Sequence, residues 1–398
     1  MQKKLLVLAA GILQIPVIKK AREMGYYVIA ADGDANACGL KFADNQIVAN
    51  ITSEEIMVNI AKQEHIDGVI HPCSEVAMNV MGRINDELKL SGISRETAIK
   101  ATNKHLMREA FEQGNAPSPK SKCFSNMEMA WNSFSTDYEG NCILKPSRNS
   151  GSRGIAKVAS TIDKRLFAFF FERAKSESRD QSVMLEQFIE GPEFSVEIIV
   201  WNNQVHALTV TDKKTTGAPY FVELGHSQPS CFPVDIVNIV KDAAIAGVKA
   251  LGLNNCAGHA EVKVQNGKAY IMEIGARLGG DFISTELTHL STGIDMVAAA
   301  INVALGVTPD LEPKEQKRGA CIRYFCPQAG QVVSITGMEC LNDKNVYLSE
   351  IYCREGDEIR EVKSSLDRSG HVIVTADNSQ KAIEKAEEII NKIKFDTI

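Results

Sequence analysis

The chain contains no Cys-x-x-Cys pair, although it has ten cysteines. Scattered thiols of this kind argue against a disulfide framework or a structural zinc site, and for a reducing, cytoplasmic setting. No apolar run approaches the ~20 residues needed to cross a membrane as a helix. The segment Met1-Gln2-Lys3-Lys4-Leu5-Leu6-Val7-Leu8 resembles a short leader, but Gly11 and Gln14 interrupt it, and it reads as a first strand. An excess of positive charge is also missing: 44 Lys and Arg stand against 50 Asp and Glu, a net charge of −6. That balance speaks against a general nucleic-acid binder. The Gly-x-x-x-x-Gly-Lys-Ser/Thr loop does not occur, and the first turn, Ala9-Ala10-Gly11-Ile12-Leu13-Gln14, has one glycine where a dinucleotide fingerprint needs three. Asp32, after the second strand, is therefore weak support for a ribose contact.

At 398 residues the chain is too long for one core, and two to three domains are expected. Leu5–Leu8, Tyr27–Ala30, Ile47-Val48 and Gly68–Ile70 read as strands. Ile15, Ile18 and Ala21, and then Ile56, Ile60 and Ala61, fall at helical spacing between them. This alternation predicts a parallel sheet covered on both faces, with its ligand end at Gly11, Asp32 and the His71–Glu75 loop. Ala116-Pro117-Ser118-Pro119 marks a joint, and Pro309 and Pro313 mark another. Phe194–Val200, Val205–Val210, Ala260–Val264 and Ala269–Glu273 are strand candidates. Gln265-Asn266-Gly267-Lys268 is a hairpin turn between the last two. The polar stretch Thr215–Ser230 reads as a mobile loop. Near the end, Gly370–Val374 is strand-like, and Ile383, Ala386, Ile390 and Ile393 share a helix face.

Three segments carry chemistry. Lys145 ends an apolar strand and leads into Ser147-Arg148-Asn149-Ser150-Gly151-Ser152-Arg153-Gly154, a small-residue basic loop that suits an anion. It also fits a plain surface turn. Glu186-Gln187-Phe188-Ile189-Glu190-Gly191-Pro192-Glu193 joins two strands, as an exposed turn or as a linker whose backbone meets an adenine edge while Glu193 meets ribose hydroxyls. The hairpin after residue 260 brings Glu261 and Glu273 onto paired strands. Two adjacent carboxylates call for a cation, and hard oxygen ligands suit Mg2+. Arg277 follows Glu273 by four residues, placed for an acyl-phosphate, an oxyanion or a structural ion pair.

Taken in order, Lys145-Pro146, the Ser/Gly/Arg loop, Glu186–Glu193, Glu261 and Glu273-x-x-x-Arg277 resemble the ATP-grasp superfamily along nearly the whole chain. The resemblance implies an α/β fold in three parts: a Rossmann-like domain over 1–103, an ATP-grasp domain over 104–310 and an α+β C-terminal lobe over 311–398. Within the second, it implies a small lid at about 119–187 and a large lobe at 188–310. It further implies that Lys104 and Lys145 hold the α- and β-phosphates of ATP, and that Ser150, Gly151 and Ser152 close over the phosphates. Glu186, Phe188 and Ile189 would form the adenine hinge, and Glu193 would take the ribose. Glu261 and Glu273 would hold Mg2+, two ions by analogy, with Mn2+ as a substitute. Many relatives carry Asn where this chain has Gly275, so one metal contact is missing or comes from elsewhere.

Residues 215–230 together with Glu273–Arg277 are similar to the L-amino-acid ligases of the bacilysin type. That similarity implies that His226 and Arg277 face the reacting carboxylate, with Glu75, His259 and Gly275 near substrate. His226 also fits a loop histidine bonded to backbone, and His259 a core histidine. The activity implied is an ATP-dependent carboxylate–amine ligase working through an acyl-phosphate on small-molecule carboxylates and amines, without nucleic acid or membrane. A homodimer follows by analogy. Two other readings stay open: a carboxyphosphate-forming ligase resembling biotin carboxylase or the purine-pathway enzymes, and an ATP-binding protein without turnover.

Overall fold

The structure is a computed structural model and describes residues 2–148, 154–218, 220–314 and 317–398. Its N-terminal part follows the expected alternation: β1 (Lys4–Leu8), α1 (Ile15–Glu23), β2 (Tyr27–Asp32), β3 (Asn45–Val48), α2 (Glu54–Glu64), β4 (Gly68–Ile70) and α3 (Met78–Leu88). The four strands pair in parallel in the order β3-β2-β1-β4. Leu5 to Leu8 are all buried, as a run covered on both faces must be. Asp32 does not face a vacant ribose site. Its carboxylate accepts the Ala10 N–H at 2.7 Å and the Asp34 N–H at 2.9 Å. The turn is thus closed by its own aspartate, in keeping with the missing glycines.

His71 ties the end of this sheet to α3. Its Nδ1 donates to the Leu8 carbonyl (2.8 Å), and its Nε2 accepts the Ala77 N–H (3.2 Å). Full burial pushes its pKa down from 6.5 to about 4. Between these values the folded state binds fewer protons than the unfolded chain. The joint's stabilisation is therefore complete above pH 6.5 and is lost as pH falls towards 4, by roughly 3 kcal/mol in all. Urea unfolding at about pH 7 and about pH 4.5 should show a larger loss for wild type than for His71→Asn. Equal losses would contradict a neutral buried imidazole.

Next, α4 (Arg95–Ala101) and α5 (Lys104–Gln113) lead to a small antiparallel sheet. Asn103 caps α5 by accepting the N–H groups of His105 (3.0 Å) and Leu106 (3.2 Å), which sets Lys104 at the helix start. The sheet consists of β5 (Ser121–Phe124), β6 (Cys142–Pro146), β7 (Ala156–Val158) and β8 (Val183–Gln187), in the order β5-β8-β6-β7. α6 (Met127–Asp137) and α7 (Lys164–Ser176) back it through Phe134, Phe167 and Phe171.

The large sheet contains β9 (Glu193–Trp201), β10 (Gln204–Thr215), β11 (Glu223–Gln228), β12 (Cys256–Gln265) and β13 (Lys268–Gly275), with α8 (Val234–Leu251) after β11. α9 (Thr288–Thr292) and α10 (Met296–Ala304) follow. The last segment is β14 (Gly319–Tyr324), β15 (Gly330–Thr336), β16 (Val346–Ile351), β17 (Glu358–Ile359), β18 (Gly370–Ala376), α11 (Ser379–Lys392) and β19 (Lys394–Thr397). The sheet order is β13-β12-β9-β10-β11-β14-β18-β16, so the C-terminal segment extends the same sheet, while β17-β15-β19 form a smaller one. Phe194, Val196, Ile198 and Val200 alternate onto one face and share a core with Val240, Ala244 and Val248 of α8. The opposite face carries Ser195 and Glu197, with Ile199 beyond them packed against α10. The hairpin at Gln265–Lys268 is as expected, with Asn266 (φ 51°) and Gly267 (φ 71°) at its tip.

Residues 215–230 need correction. They are not simply a mobile loop, because Glu223–Gln228 form a strand in the middle of the sheet, between β10 and β14. Alternating apolar residues give no signal here, since the buried side chains of His226, Ser227 and Gln228 are polar. Gln228 donates to Thr211 Oγ1 (2.7 Å), and Ser291 donates to Gln228 Oε1 (2.8 Å). All ten cysteines are free thiols. Among the described residues, no helix is long and apolar enough to cross a membrane.

Candidate active site

Strand register gathers the site on the face turned away from α8. Ser195 lies opposite Glu261, and Glu197 opposite His259. On the next strand Glu261 lies opposite Glu273, and His259 opposite Gly275. The register slips immediately afterwards, so that Val262 faces Ile271. The bulge at Met272 keeps Ile271 in the core and turns Glu273 to the polar face. The sequence suggested a pair of carboxylates, and the bulge is what pairs them.

Each carboxylate has a basic neighbour. Lys104, at the start of α5, donates to Glu273 Oε1 at 2.9 Å. Glu261 Oε1 lies 3.4 Å from Lys213 Nζ and 3.7 Å from His259 Nε2. Lys213, only 3% exposed, also meets Glu193 Oε1 at 2.7 Å and Glu223 Oε1 at 3.7 Å. Burial opposes its charge, but the three carboxylates around it raise its pKa well above the lysine range. Burial likewise opposes ionisation of Glu261, yet Lys213 and His259 hold it well below the usual range. These are hard oxygen donors, and they fit a divalent cation such as Mg2+. Among the described residues no cluster of three or more His, Cys, Asp or Glu forms a complete cage. Phosphate and water would have to supply the remaining ligands.

A second line of alternating charge joins the small sheet to this face. Glu186, 2% exposed, accepts from Arg108 Nε (3.0 Å) and Nη2 (3.3 Å), and its other contact is Lys145 Nζ at 2.6 Å. Its carboxylate therefore anchors Lys145, a task the sequence did not suggest. Burial opposes ionisation, but Arg108 and Lys145 hold its pKa down at about 2. Lys145 itself lies below the usual lysine range, since burial and the nearby Arg108 and Lys104 outweigh Glu186. An arriving phosphate would reverse that balance.

Arg277 closes the row. Its Nη2 donates to Glu75 Oε1 (3.3 Å) on the His71–Glu75 loop, and its Nη1 to the Leu278 carbonyl (3.1 Å). Burial raises the pKa of Glu75, and the charge on Glu273 adds to the effect. A Cβ at Gly275 would lie 3.2 Å from Arg277 Cγ and Cζ. The space of an Asn side chain at this position is thus filled by the guanidinium.

His226 is held through Asp281. It is 1% exposed on β11, with Nε2 3.4 Å from Asp281, and among the described residues its Nδ1 has no partner. Asp281 is gripped by Arg368 of the C-terminal segment at 2.7 and 2.9 Å, with the guanidinium 3.6 Å over the Tyr324 ring. His259 is buried and bonds Glu197 at 2.6 Å. Burial works against its charge, but Glu197 raises its pKa to about 9. The Phe188 ring lies under Lys157 Nζ at 4.0 Å, and the carbonyl of buried Ile189 accepts from Lys263 at 3.4 Å. Ser150, Gly151 and Ser152 lie outside the described residues.

Arg108, Glu197, Lys213, Asp281 and Arg368 were not singled out from the sequence. Arg108 and Lys213 carry no local signal, since their partners lie on other elements. Glu197 did leave a signal, since Glu193, Ser195 and Glu197 alternate with Phe194, Val196 and Ile198.

Comparison with known proteins agrees with this geometry. Residues 138–286 match the ATP-grasp domain, and residues 323–397 match the L-amino acid ligase C-terminal domain 2. Alanine–anticapsin ligase of Bacillus subtilis is 25% identical over 276 residues, covering 64% of this chain and 58% of that one. The chain spans between 16% and 65% of the length of the curated relatives it matches first. Phosphoribosylglycinamide synthetase from Anaerococcus prevotii superposes with a TM-score of 0.81 at 25% identity, covering all of both chains. L-amino acid ligase from Bacillus licheniformis superposes with a TM-score of 0.82 at 21% identity, covering 100% of this chain and 99% of that one. Residues 138–286 thus form an ATP-grasp domain, and residues 323–397 a C-terminal domain of the L-amino acid ligase type.

Proposed function

We propose that the protein is an ATP-dependent carboxylate–amine ligase that forms an amide or peptide bond through an acyl-phosphate, with an amino acid as one substrate. The observation that carries this reading is Arg277 paired with Glu75, set beside the Glu261–Glu273 carboxylates and the Lys104–Lys145 lysines. The match of residues 323–397 to the amino-acid ligases supports an amino acid as substrate.

In this reading a substrate carboxylate oxygen attacks the γ-phosphorus of ATP, and ADP leaves. An amine then attacks the acyl carbon, and phosphate leaves with the bonding electrons. Such chemistry depends on positioning and charge neutralisation. Lys104 and Lys145 bind phosphate oxygens, Phe188 and Ile189 flank the adenine, and Glu193 takes the ribose. Glu261 and Glu273 hold Mg2+, which neutralises phosphate charge, with two ions as the family analogy implies and Mn2+ as a substitute. Arg277 orients the reacting carboxylate, Glu75 faces a substrate ammonium, and His226 bonds Asp281 beside the Arg277 turn. The ten free thiols support a cytoplasmic setting.

The test is phosphate release from MgATP with the twenty amino acids, singly and in pairs. Stimulation by one amino acid that rises further with a second amine is the expected result. Release with bicarbonate and with no amino acid would replace this reading by a carboxyphosphate-forming ligase. Background hydrolysis with every carboxylate would leave an ATP-binding protein without turnover.

A further inference from the structure

We propose that Glu197, which faces no solvent, is a positioning residue that fixes the metal carboxylate Glu261 and the Arg277 loop relative to one another. The inference deepens the ligase reading and rests on it. Glu197 sits mid-strand on β9, fully buried, and its two oxygens serve different parts of the site. Oε1 accepts from His259 Nδ1 at 2.6 Å and from Ser195 Oγ at 3.3 Å. The other nitrogen of His259 lies 3.7 Å from Glu261 Oε1. Oε2 accepts from Ser284 Oγ at 2.6 Å, and that hydroxyl oxygen in turn accepts the Gly279 N–H at 2.7 Å. Gly279 ends the Arg277-Leu278-Gly279 turn, whose Leu278 carbonyl holds Arg277 Nη1.

The packing leaves little play in either arm. A Cβ at Gly279 would lie 2.7 Å from His259 Nδ1 and 2.9 Å from Glu197 Oε2, so the turn presses directly on the carboxylate. A carboxylate accepts on both oxygens, whereas a carboxamide offers one acceptor and one donor. Glu197→Gln therefore keeps the shape, removes the negative charge opposite His259, and must reverse or break the bond of the arm that meets its amide N–H. Partners of this kind, bonded to a metal-holding side chain but not to the metal, typically change affinity or activity by about 10- to 100-fold.

The arms can be read separately. Mn2+ binding in the presence of ADP, followed by electron paramagnetic resonance, reports on the Glu261 arm without any turnover. kcat for amino-acid-dependent phosphate release reports on the Arg277 arm. His259→Gln should weaken Mn2+–ADP binding by about 10-fold or more. Ser284→Ala should lower kcat by about 10-fold while Mn2+–ADP binding stays within about twofold. Glu197→Gln should show at least one of these losses, and its melting temperature shows whether it folds. If it does not fold, the two single-arm variants carry the test. Mn2+–ADP binding and kcat both unchanged in folded His259→Gln and Ser284→Ala would overturn the proposal. So would equal losses of both quantities in Ser284→Ala, which would mean general loosening rather than two arms. If wild type shows no amino-acid turnover, the ligase reading fails, and the Mn2+–ADP measurement still decides the Glu261 arm.

Discussion

Glu186→Ala is expected to unfold the small sheet and the start of α5 from the rest of the protein, and to show the largest loss of stability among single changes at the site. The carboxylate holds two cations that have almost no water of their own, Arg108 at 4% and Lys145 at 9% side-chain exposure. Removing it leaves both charges buried with their shared counter-charge gone. Breaking a buried pair from one side costs about 3–5 kcal/mol, a large share of the roughly 5–15 kcal/mol that holds a domain together. The pH behaviour gives a check on the cause. The folded pKa of Glu186, about 2, lies below the unfolded value of 4.5. Its stabilisation is therefore full above about 4.5 and is lost as pH falls through 2. Lys145→Met is the contrasting variant. It leaves Glu186 in its two-point contact with Arg108, so the fold should survive while ATP binding is lost. Calorimetric melting of the two variants beside wild type measures this, and a Glu186→Ala melting point equal to wild type would show that the triad adds nothing.

This triad also shows what the sequence allowed to be read and what it hid. Strand–helix alternation, the hairpin at Asn266-Gly267 and the ordered motifs from Lys145 to Arg277 were legible because each depends on local spacing. Arg108 was not, since its partner Glu186 is 78 residues away and helix periodicity alone places an arginine on the surface. β11 was hidden for a related reason. Buried strands are recognised by apolar residues, and here Gln228 is satisfied by Thr211 and Ser291, which come from other elements. Lys213 gave no signal because the three glutamates around it lie on β9, β11 and β12. Motif reading gave candidate residues, but the Met272 bulge and the Asp281–Arg368 clamp arise only from tertiary pairing.

Gly275→Asn gives the sharpest test of how this chain departs from the usual pattern. Asn at this position would add an oxygen beside the Glu261–Glu273 pair, and on metal ligation alone it should tighten Mg2+ binding with nucleotide. The structure adds an opposing effect. Any side chain at 275 must share space with Arg277, whose Cγ and Cζ lie 3.2 Å and Nε 3.3 Å from a built Cβ. The guanidinium would have to move away from Glu75. Arg277 is half-buried, and in the proposed role it sits where charge develops, a place where loss of one donor costs about 100- to 1,000-fold in rate. Arg277→Ala should therefore lose about 100- to 1,000-fold in kcat/KM for amino-acid-dependent phosphate release. Arg277→Lys should recover little, because an ammonium cannot span Glu75 and a substrate carboxylate as a fork does. Gly275→Asn should follow Arg277→Ala in kcat while binding Mg2+–ADP at least as tightly as wild type. Calorimetric titration with Mg2+–ADP beside steady-state kinetics separates the two quantities. A Gly275→Asn enzyme with wild-type kcat would mean that Arg277 does not need its present position, and the role assigned to it would fall.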